Sequence, residues 1–541
     1  MSHVSEWWRG AVIYQIYPRS FCDANGDGIG DIAGIIKHLD YIAELGVDAI
    51  WLSPFFTSPM KDFGYDISDY CDVDPMFGTL ADFRAMMDKA HTLGLKVIID
   101  QVYSHCSDQH VWFKESRSSL DNPKADWFVW ADPKPDGTAP NNWLSMFGGP
   151  AWQWDTTRQQ YYQHNFLASQ PDLNFHNREV QDAILDIARF WLDLGVDGFR
   201  LDTSNFYVHD AQLRDNPPKT ESWQQFIGAD PLTPFSRQYH TRQVSQPENL
   251  EFLKRLRALM NQYQGDRFTV GEIGAPEGLK VMAQYTSGGD KLTSAYTFEL
   301  LREEHSAEYI RTVQQSIKDH LDDGWPCFSL SNHDTVRSAT RWGQGLDQDA
   351  FAKASLSFLL SLRGSACIYQ GEELALEEAD VPFEDLQDPF GIEFWPKFKG
   401  RDGCRVPMIW DENGGFSSNP KPWLPIYQPH LARNPASQLQ QPQSSLRFVQ
   451  NFLRWRKQYP ALVTGDIDWL TINPEVLTFI RSLDDEKILV VINLTGQQQQ
   501  MTLQQTVKNE LTGHGLDSQF DKATGELILP ALGGCYLTLG E

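Results

Sequence analysis

Short apolar runs alternate with helical segments over the first two hundred residues, and that rhythm limits what the chain can fold into more than any other feature. Ala11-Val12-Ile13-Tyr14, Val47 to Leu52 and Lys96 to Asp100 are β-like runs with almost no polar alternation. Between them, Ile32 to Leu45 closes at Gly46 and Thr79 to Leu93 closes at Gly94, both with helical spacing. Strands apolar on both faces belong to a parallel sheet covered on both sides by its own crossover helices.

The rhythm breaks from Ser104 to Phe175, a stretch rich in Trp, Pro, Gly and Asn with no clear helix. It is too long for a plain strand-to-helix loop, so an inserted subdomain is expected. The pattern resumes with Val180, Ile184, Ile187, Trp191 and Leu194 at helical spacing, then Gly198 to Asp202. Leu250 to Met260 predicts a helix and Phe268 to Glu272 a strand. Further strands are predicted at Ser294–Phe298, Pro326–Leu330 and Cys367–Gly371, with helices at Ile310–Leu321 and Phe351–Arg363. Eight strand–helix units with insertions fit an α/β fold, the (β/α)8 TIM barrel. The tail differs. Val476 to Ile480, a turn at Asp484-Asp485-Glu486, Ile488 to Ile492 and Gly534 to Leu539 predict a small antiparallel β domain. The expected organisation is barrel at 1–103, inserted domain at 104–175, barrel again at 176–461 and β domain at 462–541.

The 541 residues carry 72 acidic and 46 basic side chains, a net charge of −26. Such a surface repels phosphate backbones and anionic lipid, which argues against nucleic acid and membrane as partners. Seven scattered cysteines without a CxxC read as free thiols, neither a disulfide framework nor a zinc site. No signal peptide or spanning helix is visible, so a cytoplasmic location is expected.

Polar residues gather at the ends of the predicted strands: Asp100, Arg200 with Asp202, Glu272, then His333 with Asp334. In a barrel these ends open on one face, where active sites are built. Two carboxylates facing one substrate atom are what glycoside hydrolysis needs. A separate segment, Asp23-Ala24-Asn25-Gly26-Asp27-Gly28-Ile29-Gly30-Asp31, spaces oxygen ligands at alternate residues, as hard cations require. Gly34 stands where an EF-hand needs a bidentate Glu, and a strand precedes the loop, so it is not an EF-hand.

Asp100-Gln101-Val102-Tyr103-Ser104-His105, Gly198-Phe199-Arg200-Leu201-Asp202, Gly271-Glu272 and Ser331-Asn332-His333-Asp334 resemble, in order, four segments of the α-amylase superfamily, glycoside hydrolase family 13. Gln170-Pro171-Asp172-Leu173-Asn174, Gln370-Gly371-Glu372-Glu373 and Arg401 to Met408 resemble its oligo-1,6-glucosidase and α-glucosidase branch. The resemblance runs from Trp7 to the C-terminus. It implies Asp202 as nucleophile, Glu272 as general acid and then base, and Asp334 as transition-state stabiliser. Arg200 is expected to keep Asp202 ionised, and Glu272 to have a raised pKa. His105 and His333 would donate hydrogen bonds to the same sugar. Asp66 and Arg401 would clamp the terminal 4-hydroxyl, which argues for exo-action, and Tyr65 would stack on the ring. Thr203 follows the nucleophile, where relatives with Thr prefer α-1,4 over α-1,6 links. Phe147, Phe166 and Phe298 are candidate pocket walls, a role no better supported than core packing. The loop from Asn205 to Asn249 is expected to cover the acceptor side and favour short substrates.

The same resemblance implies a structural Ca²⁺ or Mg²⁺ held by Asp23, Asn25, Asp27, Asp31 and the Ile29 carbonyl, with no organic cofactor. Ser104 replaces an Asn that helps bind another calcium in many α-amylases, which puts that second site in doubt. The expected activity is release of glucose from maltose-type substrates through a covalent glucosyl-enzyme. Partners are small α-glucosides with sugar or alcohol acceptors, and monomer and homodimer both stay open. A sucrose or trehalose isomerase or a glucosyltransferase remains the alternative. A non-catalytic transporter subunit is disfavoured, because such relatives have lost catalytic acids that are present here.

Overall fold

In the computed structural model, which describes residues 6–219 and 233–540, the strands of the first rhythm lie side by side. They are β1 (Val12–Ile16), β2 (Ala49–Leu52), β3 (Lys96–Gln101), β4 (Gly198–Leu201), β5 (Phe268–Glu272), β6 (Ser294–Tyr296), β7 (Cys327–Ser329) and β8 (Ser365–Tyr369). All neighbours pair in parallel, in the order β6-β5-β4-β3-β2-β1-β8-β7. A parallel bridge between Ala295 and Pro326 joins the two ends of that order and closes the barrel.

Crossover helices α1 (Ile32–Leu45), α2 (Leu80–Thr92), α3 (Arg178–Asp193), α4 (Asn249–Met260), α5 (Gly278–Thr286), α6 (Ala307–His320) and α7 (Gln348–Ser361) alternate with the strands. Their ends follow local chemistry. Asp31 caps α1 by accepting from the Gly34 amide, and Gly46 ends that helix at φ +92°, a left-handed geometry that glycine adopts without Cβ strain. Thr79 and Asp82 form a reciprocal capping box at the start of α2.

The period of two within each strand sorts the barrel into two layers. Val12, Tyr14, Ile50, Leu52, Val97 and Ile99 pack outward in the core shared with the helices. Ile13, Ala49, Trp51, Ile98, Phe268, Val270, Cys327 and Cys367 form a separate apolar plug. Followed to the strand ends, the plug's own period brings in Gln15, Asp100, Arg200, Glu272 and Tyr296, all buried. The barrel is therefore greasy along its length and charged at one mouth.

The insertion after β3 contains a three-stranded antiparallel sheet of Trp130–Ala131, Gln160–Gln163 and Trp152–Asp155. It also holds a short helix, Val111–Ser116, where none was expected. Six residues are too few to display a helical period. After β8, a further helix, α8 (Ser445–Arg456), packs against α7.

The tail forms a five-stranded antiparallel sheet facing a three-stranded one. Strand Glu486–Ile492 lies between two cores. Leu489 and Val491 face the small sheet, whereas Ile488, Val490 and Ile492 join the core of the barrel helices. Arg481 is fully buried at this junction and donates to the carbonyls of Ser361, Leu362, Leu462 and Gly465. All seven cysteines are free. Among the described residues, no helix is long and apolar enough to cross a membrane.

Replacing Arg481 by Leu leaves those buried carbonyls without a donor. We expect a loss of roughly 3 kcal/mol of stability, read as a lower urea midpoint, with kcat of the folded protein unchanged.

Candidate active site

Arg200 stands at the last inward position of β4 with no exposed surface. Its Nη1 donates to Asp100 Oδ1 at 2.9 Å and to Asp202 Oδ1 at 2.7 Å. Its Nη2 lies 2.7 Å from Glu272 Oε2 and donates to the Tyr296 hydroxyl at 2.8 Å. Asp202 and Glu272 thus sit on the two terminal nitrogens of one guanidinium. The residue between β4 and its following loop links them again. Thr203, at φ +38°, donates its amide to Glu272 Oε2 at 3.1 Å and its hydroxyl to Asp202 Oδ2 at 3.3 Å.

Asp334 joins from the loop after β7. Arg401 reaches its Oδ1 at 3.2 Å, Arg405 the same oxygen at 2.7 Å, and His333 Nε2 lies 3.1 Å from Oδ2. Asp202, Glu272 and Asp334 all line one cavity of about 1130 Å³. That volume exceeds what a single sugar fills and lies at the upper end of ligand sites.

The charges of this mouth are unevenly compensated. Burial pushes Asp202 and Glu272 up to about 7, against the pull of Arg200. Asp100, likewise raised by burial to about 6, adds its own repulsion to Asp202. One guanidinium serves three carboxylates: Arg200 pulls Asp202 towards its charged form, while burial and the neighbouring Asp100 push the other way. At Asp334 burial works in the same upward direction, but the His333 ring nitrogen at hydrogen-bond distance and the charges of Arg401, Arg405 and Arg200 outweigh it and hold the carboxyl well below its ordinary range.

Several expected residues reach the cavity: Tyr65, His105, Phe147, Phe166, Thr203, Phe298 and Arg401. Phe298 follows a strand that ends at Tyr296, two residues earlier than expected, and precedes a short 3-10 turn. Others stand behind it. Arg200 touches the acids and not the cavity wall. His333 is fully buried, its ring parallel to Tyr65 with centroids 5.4 Å apart and its Nε2 2.5 Å from the Tyr65 hydroxyl. His105 Nε2 lies 2.9 Å from the Tyr65 carbonyl. Burial lowers His333 to about 3 and His105 to about 4, so both rings are neutral. Ser104 contacts His105 Nδ1 at 2.9 Å and Thr203 Oγ1 at 3.2 Å, which ties it into this site.

The clamp needs a correction. Asp66 does not meet Arg401. Its carboxylate is enclosed by its own turn, accepting from the Lys61 and Asp62 amides and the Ser58 hydroxyl. Asp62 takes its place, with Oδ1 3.0 Å from Arg401 Nη2 and Oδ2 accepting from Gln170 Nε2 at 2.9 Å. The intervening Phe63 and Gly64 both have positive φ, +49° and +107°, and this tight turn separates the two acids. Asp388 holds the other side of Arg401 through Nε at 3.0 Å and Nη2 at 2.8 Å. Only a motif containing the whole of this turn could have singled out Asp62. Tyr296 was legible from the period of two in β6.

The loop expected to cover the acceptor side is described at 205–219 and 233–249; its residues 220–232 lie outside the described residues. Phe206 lines the cavity. Asn216 and Gln243 tie the loop to Asn142 and Asn165 of the inserted domain.

In the metal loop, Asp23 accepts from the Gly26 and Gly28 amides, Asn25 from Asp27, and Asp27 from Ile29. Asp31 accepts from Ala24, Asn25 and Gly34. Among the described residues, no three acidic, His or Cys side chains converge as a ready cage. The donor chemistry nonetheless fits a hard cation: Oδ1 of Asp23, Asn25, Asp27 and Asp31 each accepts one amide and keeps a lone pair, whereas Oδ2 of Asp31 accepts two amides and Oδ2 of Asp23 an amide and the Ser417 hydroxyl.

The model of the family described as "Alpha amylase, catalytic domain" matches residues 15–465, and that of the "Alpha-amylase SusG C-terminal domain" matches 476–532. A "Probable alpha-glucosidase" of Rhizobium meliloti (strain 1021) is 54% identical over 99% of this chain and 97% of its own. An "Oligo-1,6-glucosidase" of Heyndrickxia coagulans is 38% identical over 91% of this chain and 93% of its own. Among solved structures, an alpha-glucosyl transfer enzyme, XgtA, superposes with a TM-score of 0.96 at 53% identity, over 99% of both chains. A variant of the trehalulose synthase MutB superposes with a TM-score of 0.89 at 33% identity, over 98% of this chain and 100% of its own.

The corrected clamp separates two acids four residues apart. On a chromogenic α-glucoside, Asp62→Asn should lower kcat/KM at least about tenfold, some 1.4 kcal/mol. Asp66→Asn should lower the melting temperature and leave KM close to wild type. Equal effects of the two changes on KM would remove the distinction.

Proposed function

Because the chain belongs to the α-amylase family of glycoside hydrolases, in its oligo-1,6-glucosidase and α-glucosidase branch, we propose that it is an exo-acting, retaining α-glucosidase. It would release terminal glucose from maltose-type disaccharides and short oligosaccharides. The observation that carries this reading is the sharing of Arg200 by Asp202 and Glu272 beside a charged end wall of Asp62 and Arg401.

The terminal glucose would bind against that wall, which leaves no passage for a chain extending beyond the 4-hydroxyl. Protonated Glu272 gives its proton to the glycosidic oxygen as the bond to C1 breaks. Asp202 forms the new bond to C1 from the opposite face, giving a β-glucosyl ester. Glu272, now a carboxylate, takes a proton from water, whose oxygen attacks C1 and releases Asp202. Two inversions give net retention, and carboxylates serving as nucleophile and acid/base are ~5–5.5 Å apart. Asp334, kept ionised by Arg401 and Arg405, binds hydroxyls of the flattening ring more tightly than those of the ground state. Thr203 beside Asp202 supports the α-1,4 preference. Seven unpaired thiols support a reducing, cytoplasmic location.

A second reading is transfer. The likeness to an alpha-glucosyl transfer enzyme and a cavity larger than one sugar favour an acceptor other than water. Product analysis on maltose, sucrose and trehalose separates hydrolysis, transfer and isomerisation.

Proton NMR of maltose hydrolysis should show α-glucose released first and isomaltose cleaved more slowly. First release of β-glucose would overturn the retaining mechanism. Asp202→Asn should lower turnover about 10⁴-fold with an unchanged melting temperature.

We also propose that Asp23, Asn25, Asp27, Asp31 and the Ile29 carbonyl hold Ca²⁺ or Mg²⁺, a structural ion that would fasten the loop after β1. Chelation should lower the melting temperature, and adding either ion back should restore it. A metal-free protein with an unaltered melting curve would refute the site.

A further inference from the structure

Glu272 has two oxygens in different surroundings. Oε2 faces the charged Nη2 of Arg200 at 2.7 Å and the Thr203 amide at 3.1 Å. Two donors, one of them cationic, keep negative charge on Oε2 and disfavour a proton there. Oε1 accepts from the Tyr296 hydroxyl at 3.0 Å. That hydroxyl in turn accepts from Arg200, through Nη2 at 2.8 Å and Nε at 3.3 Å. With its lone pairs facing a guanidinium that can only donate, the hydroxyl's own hydrogen is directed at Oε1. The chain of donors therefore runs one way, from Arg200 through Tyr296 to Glu272.

We propose that Tyr296 is a positioning residue that makes Oε1 the working oxygen of Glu272 and steers it between its acid and base roles. This rests on the assignment of Glu272 as acid/base. In the first step Oε1 gives its proton to the glycosidic oxygen, the C1–oxygen bond breaks, and the bond from Asp202 to C1 forms. Negative charge appears on Oε1 at that moment, and the Tyr296 hydrogen bond strengthens as it does. In the second step Oε1 accepts a proton from water while the hydroxide oxygen displaces Asp202 from C1. The tyrosine never gives up its proton. It holds the carboxyl plane and favours the charged form.

The charged and titratable groups facing Glu272 are Arg200 and Asp202 at the end of β4, Asp100 on β3, Tyr296 on β6 and Asp334 beyond β7. Asp100, Asp202 and Asp334 favour the protonated form. Arg200 and Tyr296 oppose them, and Tyr296 is the member of that set that can lose its hydrogen bond without losing a charge. Tyr296→Phe keeps the ring and its contact with Phe298, at 5.9 Å between centroids.

The test is the pH profile of kcat/KM on maltose, whose sugar leaving group must be protonated, run beside α-glucosyl fluoride, whose leaving group needs little protonation. The acid must hold its proton, so activity falls as pH rises through the pKa of Glu272. Removing a donor to the charged form raises that pKa, so in Tyr296→Phe the alkaline limb should move up by about one pH unit. The rate of glucosyl-enzyme formation from the fluoride should stay within threefold of wild type. An unmoved limb, or equal losses on both substrates at every pH, would overturn the role of Tyr296. Glu272→Gln tests the underlying assignment separately. It should be inactive on maltose, react with the fluoride and lack the alkaline limb; full activity on maltose would refute the acid/base assignment whatever Tyr296→Phe does.

Discussion

Arg200 carries one positive charge and meets carboxylates from three neighbouring strands, Asp100, Asp202 and Glu272. The parallel register makes this possible. Asp100 on β3 and Val270 on β5 both pair with Arg200, which places Glu272 one inward step beyond it. A buried guanidinium without partners is costly, as is each buried acid without a counter-charge. The cluster and the register thus stabilise each other, and the remaining site is assembled on this base.

A second group of charges lines the same mouth. Asp334 and Asp62 share Arg401, and Arg405 adds to Asp334. Asp334 has two guanidiniums beside it, which favour its charged form, whereas Asp100, Asp202 and Glu272 divide one among three. The mouth of one barrel therefore carries carboxyls of contrasting surroundings on one cavity. Such a contrast would let a single fold supply both the acid and the charge stabiliser that the proposed function requires at neutral pH.

The barrel was legible because its strands are apolar on both faces and the helices α1, α2, α3, α6 and α7 carry side-chain caps. The period of two also contained more than was drawn from it: it sets Tyr296 on the same inward row as Ser294, and the strand ends there. Local geometry decided what periodicity could not. Asp62 and Asp66 are chemically identical, and the positive-φ turn at Phe63 and Gly64 between them, with the donors that enclose Asp66, accompanies the choice of Asp62 to reach Arg401. Helix α5 was missed because it is short and begins at Gly278, and α8 because it lies in a stretch outside the barrel rhythm. The metal loop displays its ligand spacing openly, yet its side chains serve the backbone amides of their own turn.

Strand Glu486–Ile492 buries alternate residues in two different cores, and Arg481 fastens its neighbour to carbonyls at the end of α7 and just before the tail sheet. Here the seam runs through the hydrophobic interior and not along a linker. Barrel and tail therefore share one apolar interior, so that loosening either uncovers the core of the other.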